Sequence, residues 1–265
     1  MGKAKAVFLG MFFSACGTSG IYCSAPLEAA PSSAENFHVE NRVFVDDEQT
    51  PSIQSVTVFH NDMVYDSIKS PPETVVFDRA NKRFILLNLK RRTRAELTAA
   101  EVLAFCDKLQ ETAARSNDPL IRFLAEPQFE EKEDAGTGRL ELISPTVSYS
   151  VSLLAEENRS VVEQYHEFAD WYARLNALLV AGSRPPFGRL VVNAAVAKRQ
   201  SLPGEVLLTL RTAKNDRPAE TKIRSEHRFA RPLAVADVDL VRQSREQMAD
   251  FKRVSFSQYR KDEPR

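Results

Sequence analysis

Glycine is scarce in this chain. There are nine in 265 residues, and Gly2, Gly10, Gly17 and Gly20 all fall near its start. The other five (Gly136, Gly138, Gly182, Gly188 and Gly204) cannot be assembled into GxGxxG or GxxxxGK[ST], so the usual phosphate cradles are excluded. Cysteine is scarcer still. Cys16, Cys23 and Cys106 make neither a disulfide framework nor a cysteine-based zinc site. The four histidines, His38, His60, His166 and His227, are scattered, with no HExxH or H-x-H spacing, and no GxSxG elbow occurs. An excess of one charge is also missing. Thirty-six basic side chains meet 36 acidic ones, which removes any global argument for nucleic acid as a partner. Aromatic residues are not interleaved with the basic ones as a base-stacking platform requires. No cofactor and no metal are expected, and no apolar run approaches the roughly 20 residues of a membrane-crossing helix.

What is present describes an ordinary folded chain, 43% hydrophobic and 27% charged. Its length suits one large domain or two small ones. Lys3 and Lys5 precede an apolar stretch, Ala6 to Phe13, followed by the small residues Ser14, Ala15, Cys16 and Gly17. This is the layout of a secretory signal peptide, so an exported protein, periplasmic or extracellular, is expected. Ala15 and Gly17 suit ordinary cleavage. Phe13-Ser14-Ala15-Cys16 also resembles a lipobox, which makes Cys16 the lipidation candidate and lipidation the one route to a membrane. Residues 1–25 are assigned to the signal peptide and 26–37, rich in Ala, Pro and Ser, to a flexible linker. Residues 38–260 are expected to form a single domain without internal repeats. Cys106 falls on the apolar side of a helix and reads as a buried small hydrophobe, able to pair with Cys23 only if cleavage precedes that residue.

Within 38–96 the pattern is a β-meander. Asn61-Asp62 is a two-residue hairpin signal between apolar runs, and Asp78 to Asn81 is a longer hairpin loop. Thr98 and Glu101 form a capping box opening a helix, and Asp118-Pro119 opens a second, short one. Glu126 to Asp134, acid-rich and followed by Gly136 and Gly138, is expected to be a loop. Val147, Tyr149, Val151 and Leu153 alternate with serines, which predicts a strand with one buried face. Ser160 and Glu163 look like a second capping box. The helix it opens carries a stripe of Val161, Tyr165, Phe168, Tyr172, Leu175 and Leu179. A helix after Pro185-Pro186, a hairpin around Asn215-Asp216 and a helix over about 236–251 follow. Blocks of adjacent strands interrupted by helices predict an α+β fold: a curved antiparallel sheet, in the manner of a half-barrel, packed against several amphipathic helices.

Three clusters are candidates for chemistry or binding. Glu163, His166 and Asp170 share one side of a helix, and an imidazole held by a carboxylate is the raw material of a general base; the plain alternative is a solvated face with local charge pairing. Arg79, Lys82, Arg83, Lys90, Arg91, Arg92 and Arg94 form a basic patch that suits an anionic headgroup, a phosphate or an acidic polymer, unless internal acids neutralise it. Phe105, Leu109, Val147, Tyr149, Val151 and Leu153 would line either an apolar groove or a closed core. His227 alternates with Ile223 and Phe229 opposite a charged face and reads as a hydrogen-bonded core histidine. Trp171 is expected at the edge of its helix's apolar stripe.

Four stretches together resemble uncharacterised exported proteins of planctomycete-type bacteria: Val58 to Tyr65, Phe77 to Leu97, Glu163 to Tyr172 and Pro185 to Leu190. That family implies no activity. The order of meander then helices is similar in outline to periplasmic lipoprotein carriers of the LolA type. This similarity implies a half-barrel whose helices cover an apolar cavity for acyl chains. The expectation is an exported, non-enzymatic binding or carrier protein whose partner is a lipid or an envelope protein. Its rivals are a structural protein of the cell envelope and a hydrolase centred on His166 and Asp170.

Overall fold

Six-residue segments separated by four-residue turns run through the first part of the chain. The structure, a computed structural model, describes residues 35–180, 183–214 and 217–261, which belong to one compact unit. The expected signal segment, Cys16, Cys23 and the expected turn at Asn215-Asp216 lie outside the described residues. Strands β1 (Phe37–Val45) and β2 (Ile53–His60) are followed by β3 (Met63–Ile68), β4 (Glu73–Asp78), β5 (Arg83–Asn88) and β6 (Thr93–Thr98). The last four begin ten residues apart. This period is one of backbone spacing and not of side-chain identity, so no repeat is visible in the sequence. Asn61 turns the tight hairpin with φ 54°, and Lys82 and Arg92 close their turns at φ 48° and 51°. Asn is among the residues that tolerate this left-handed region best.

Helices α1 (Ala99–Ala114) and α2 (Pro119–Ala125) come next, then β7 (Glu130–Asp134), β8 (Arg139–Ile143) and β9 (Val147–Ala155). After α3 (Arg159–Leu179) and α4 (Phe187–Lys198), the long pair β10 (Ser201–Lys214) and β11 (Arg217–Ala230) leads to α5 (Val235–Asp250), β12 (Lys252–Arg253) and α6 (Phe256–Lys261). The twelve strands make one open, curved sheet in the order β12-β6-β5-β4-β3-β2-β1-β11-β10-β9-β8-β7, not closed into a barrel. Every pairing is antiparallel except β12 on β6. The fold is therefore the expected α+β class.

Alternation decides which faces are covered. In β2 to β5, Phe59, Val64, Phe77, Phe84 and Leu86 point to the cluster built with α1 and α3, while Val58, Tyr65, Val76, Ile85 and Leu87 point to the opposite face, under α5. These strands are buried on both sides, which is why they read as continuous apolar runs. Each such side chain contributes about 1.5–3 kcal/mol by leaving water. In β9 only one face is covered. Val147, Tyr149 and Val151 pack with α4, and Ser148, Ser150 and Ser152 face the other way.

Three expectations are corrected. The linker does not extend to residue 37, because Phe37 is buried in β1 and stacks on Phe59 at 4.1 Å. Glu130–Asp134 is the edge strand β7 and not loop, with all five side chains exposed. Charge on an edge strand blocks edge-to-edge pairing, so acidity there does not argue against a strand. Glu131 and Glu133 also both pair with Arg199, at 2.7 and 2.9 Å. Finally, α3 is capped by Asn158, which accepts from the Ser160 N–H at 3.0 Å, and not by a Ser160–Glu163 box. Glu163 pairs with Arg159 instead, at 2.6 Å. The Thr98–Glu101 box and the Asp118 cap form as expected.

Candidate functional site

The strands at the sheet centre carry one order of side chains on the face toward α3. Along β1 it is Phe37, Val39, Asn41, Val43; along β2, Phe59, Thr57, Ser55, Ile53; along β3, Val64, Asp66, Ile68; along β11, Phe229, His227, Ser225, Ile223. Antiparallel register aligns these sets: Asn41 lies opposite both Ser55 and His227, and Thr57 opposite Asp66. The first apolar set is packed into the core with α1 and α3. The polar set forms a belt across four strands. Beyond the belt a groove of about 540 Å³ opens between the sheet and α3. Val43, Ile53, Ile68, Leu208, Leu210 and Ile223 make its floor. Phe168, Tyr172 and Asn176 of α3 face it from above, and Arg184 to Arg189 close one side.

The belt is a directed hydrogen-bond chain ending on one carboxylate. His227 Nδ1–H donates to Asn41 Oδ1 at 2.9 Å. The Asn41 amide donates to Thr57 Oγ1 at 2.9 Å and to Ser55 Oγ at 3.2 Å. Thr57 and Ser55 donate to Asp66 Oδ1 at 2.6 and 3.1 Å. Tyr172 donates to Asp66 Oδ2 at 2.5 Å. Burial pushes the Asp66 carboxyl above its ordinary value, against the hydrogen bonds from Thr57, Tyr172 and Ser55. Burial and the Asp66 charge push the Tyr172 hydroxyl well up, so it stays a donor. The His227 imidazole is pushed down to about 3, by burial and by the charge of Arg189. It is therefore neutral, and its buried Nε2, a bare acceptor, has no protein partner among the described residues.

The α4 side of the groove is positive. Gly188 lets the helix start close to the sheet; a Cβ there would meet Leu124 at 3.1 Å and the Tyr149 hydroxyl at 3.2 Å. Arg189, one residue on, places its charge near Tyr165, Tyr149 and His227. Burial raises the Tyr165 hydroxyl to about 12, with Arg189 opposing.

The residues expected from sequence fall as follows. Of the six groove candidates, Tyr149 lines the groove. Val147 and Val151 are buried in the closed cluster with α4, and Leu153 packs against it. Phe105 packs against the cluster under α1 and α3, and Leu109 is half-buried. Glu163, His166 and Asp170 take separate partners. His166 Nε2 donates to the Ser201 carbonyl at 2.8 Å, Asp170 accepts from Asn193 at 2.9 Å, and none of the three lines the groove. Burial pushes the His166 imidazole down, with Ser201 and Asp170 opposing. The basic patch is largely met by internal acids. Arg79 pairs with Glu167 at 2.8 Å, and Lys82 contacts the same carboxylate. Arg83 pairs with Asp78 at 3.0 Å and Arg94 with Glu96 at 2.8 Å. Arg91 donates to the Tyr259 carbonyl and Arg92 lies over the Phe251 ring. Lys90 completes the patch at the same turn. Cys106 is buried and free, and burial raises its thiol. Trp171 is half-buried against Phe77 and Phe84.

The belt residues Asn41, Ser55, Thr57 and Asp66 were missed by sequence reasoning. Their signal is a break in alternation: polar side chains at inward positions on three successive strands, to which only the fold adds His227 of β11. Among the described residues no three His, Cys, Asp or Glu side chains gather as a metal site, and no helix is long and apolar enough to cross a membrane. No protein-family model matches the chain, and no curated protein is significantly similar to it.

Proposed function

We propose that this is an exported binding or carrier protein that takes the apolar part of a lipid-like ligand into the groove between the sheet and α3. The single observation that carries this reading is the groove itself. Its floor is apolar, its volume lies within the roughly 300–1,000 Å³ of small-molecule sites, and it lies beside a finished core. Ile53 and Val180, two of the large apolar side chains most exposed to solvent (46% and 57%), both line it. Exposed apolar surface of this kind gains free energy when covered. Export rests on the layout of residues 1–25.

The test is uptake of a fluorescent apolar probe, N-phenyl-1-naphthylamine, by the mature protein and by an Ala173→Trp variant. Ala173 lines the groove from α3, so an indole there fills it. Saturable uptake that the variant loses, with its melting temperature unchanged or raised, is the expected result. No uptake by the parent protein, or equal uptake by both, overturns the reading.

A further inference from the structure

We propose that the groove selects a single-chain amphiphile with an anionic head, its chain on the apolar floor and its carboxylate or phosphate head on Arg184 and Arg189. This rests on the groove being a ligand site and names the ligand's chemistry.

The argument is one of uncompensated charge. Helix α4 is twelve residues long, begins at Phe187, has no acid in its first turn and no side-chain cap at Pro186. Its amino end thus carries the positive pole of the helix dipole and free N–H groups. Arg189 lies in that first turn and Arg184 just before it, the end of a helix where a cation is disfavoured. Neither arginine has a carboxylate within ion-pair distance among the described residues; Arg184 is exposed, whereas Arg189 is half-buried, and nearly every other half-buried arginine near the sheet has one. Arg189 reaches an acid only through Asn193, whose Oδ1 accepts from its Nε at 3.2 Å and whose amide donates to Asp170. Both arginines line the groove. His227, also in the lining, keeps a buried Nε2 with no protein partner among the described residues, which would accept from the hydroxyl of a singly protonated phosphate head. Among the described residues Asp66 is the one carboxylate in the lining, and it is already met by three donors.

The experiment compares three sixteen-carbon probes below their aggregation limits: palmitate, hexadecyl phosphate and hexadecanol. Palmitate or hexadecyl phosphate is expected to bind at least about tenfold tighter than hexadecanol, the scale of one charge-assisted hydrogen bond. The Arg184→Gln/Arg189→Gln variant is expected to close that gap, and added salt to narrow it for the parent protein. Which of the two anions binds tighter identifies the head. Equal affinity for all three probes overturns the inference while leaving the groove as a ligand site. Binding of none of them overturns both.

Discussion

Tyr172, in the middle of α3, places its hydroxyl 2.5 Å from Oδ2 of Asp66 on β3, 106 residues earlier in the chain. This contact ties the helix to the sheet where the closed core ends. Asp66 is buried and takes donors from one strand and a helix, so its removal strands hydroxyls that water cannot reach. Asp66→Ala is expected to cost roughly 2–4 kcal/mol, from the penalty for unsatisfied buried groups. Asp66→Asn should cost much less, because its Oδ1 keeps Thr57 and Ser55 and its amide turns to a Tyr172 hydroxyl that then accepts. Urea denaturation of the two variants checks this; equal losses would show that hydrogen bonding is not what the site contributes. The raised Asp66 carboxyl also has a pH signature. From its ordinary value of 3.8 up to its raised value the folded state binds more protons, so stability falls as pH rises through that window, and Asp66→Asn should remove this fall.

His227 predicts the opposite slope. Its imidazole takes a proton near pH 6.5 when unfolded but only at about 3 when folded. The unfolded state therefore binds more protons between those values. The contribution is whole above about pH 6.5 and is lost as pH falls toward 3, at up to about 1.4 kcal/mol per pH unit for one proton. Denaturation series between pH 7 and 4 should show a shallower acid decline in His227→Gln. Parallel curves for the two proteins would refute the assignment.

Gly204 marks a close approach at the β9–β10 register shift. A Cβ there would lie 2.9 Å from Ser152 Oγ and 3.1 Å from Leu154. Ser152 cannot move aside freely, since its hydroxyl accepts from the Glu205 N–H at 2.7 Å. Gly204→Ala is expected to lose about 1–2 kcal/mol through crowding and that hydrogen bond. A melting curve that overlays the parent's would contradict this.

Gln200 runs the other way. It follows the carboxyl cap of α4 at φ 50°, is exposed, and donates its N–H to the Ala197 carbonyl at 2.9 Å. Glycine holds this left-handed cap position without the Cβ clash, and its greater freedom when unfolded offsets part of the gain. Gln200→Gly should stabilise by about 0.5–1 kcal/mol. Chemical denaturation decides it, and a destabilised variant would mean that the glutamine side chain holds the cap.

Much of the fold was legible because local chemistry and final environment agree. Thr98 with Glu101, Asp118 with Pro119 and Asn61 act within a few residues of themselves, so their caps and turn follow from sequence. The serines alternating with Val147, Tyr149 and Val151 announced a sheet with one dry face. Where two local solutions competed, the sequence misled. Ser160 and Glu163 match a capping box, but Asn158 takes the cap while Glu163 meets Arg159. Acidic Glu130–Asp134 looks like a loop because strands seldom hold such residues, yet an edge strand answers to pairing on one side and to solvent on the other.

Alternation along each strand determined which side chains point inward, and the spacing along α3 determined which face it buries. Neither could determine how far the helix stands from the sheet. Val39 and Val43 occupy equivalent positions on β1, yet one lies in the core and the other on the floor of an open groove. An inward apolar residue has the same chemistry in both places. The difference is set by contacts distant in sequence: Tyr172 on Asp66 holds α3 at the belt, and Gly188 brings α4 close to Tyr149. Those distances exist only after the sheet has assembled, so the tertiary structure alone decided where packing stops and a cavity begins.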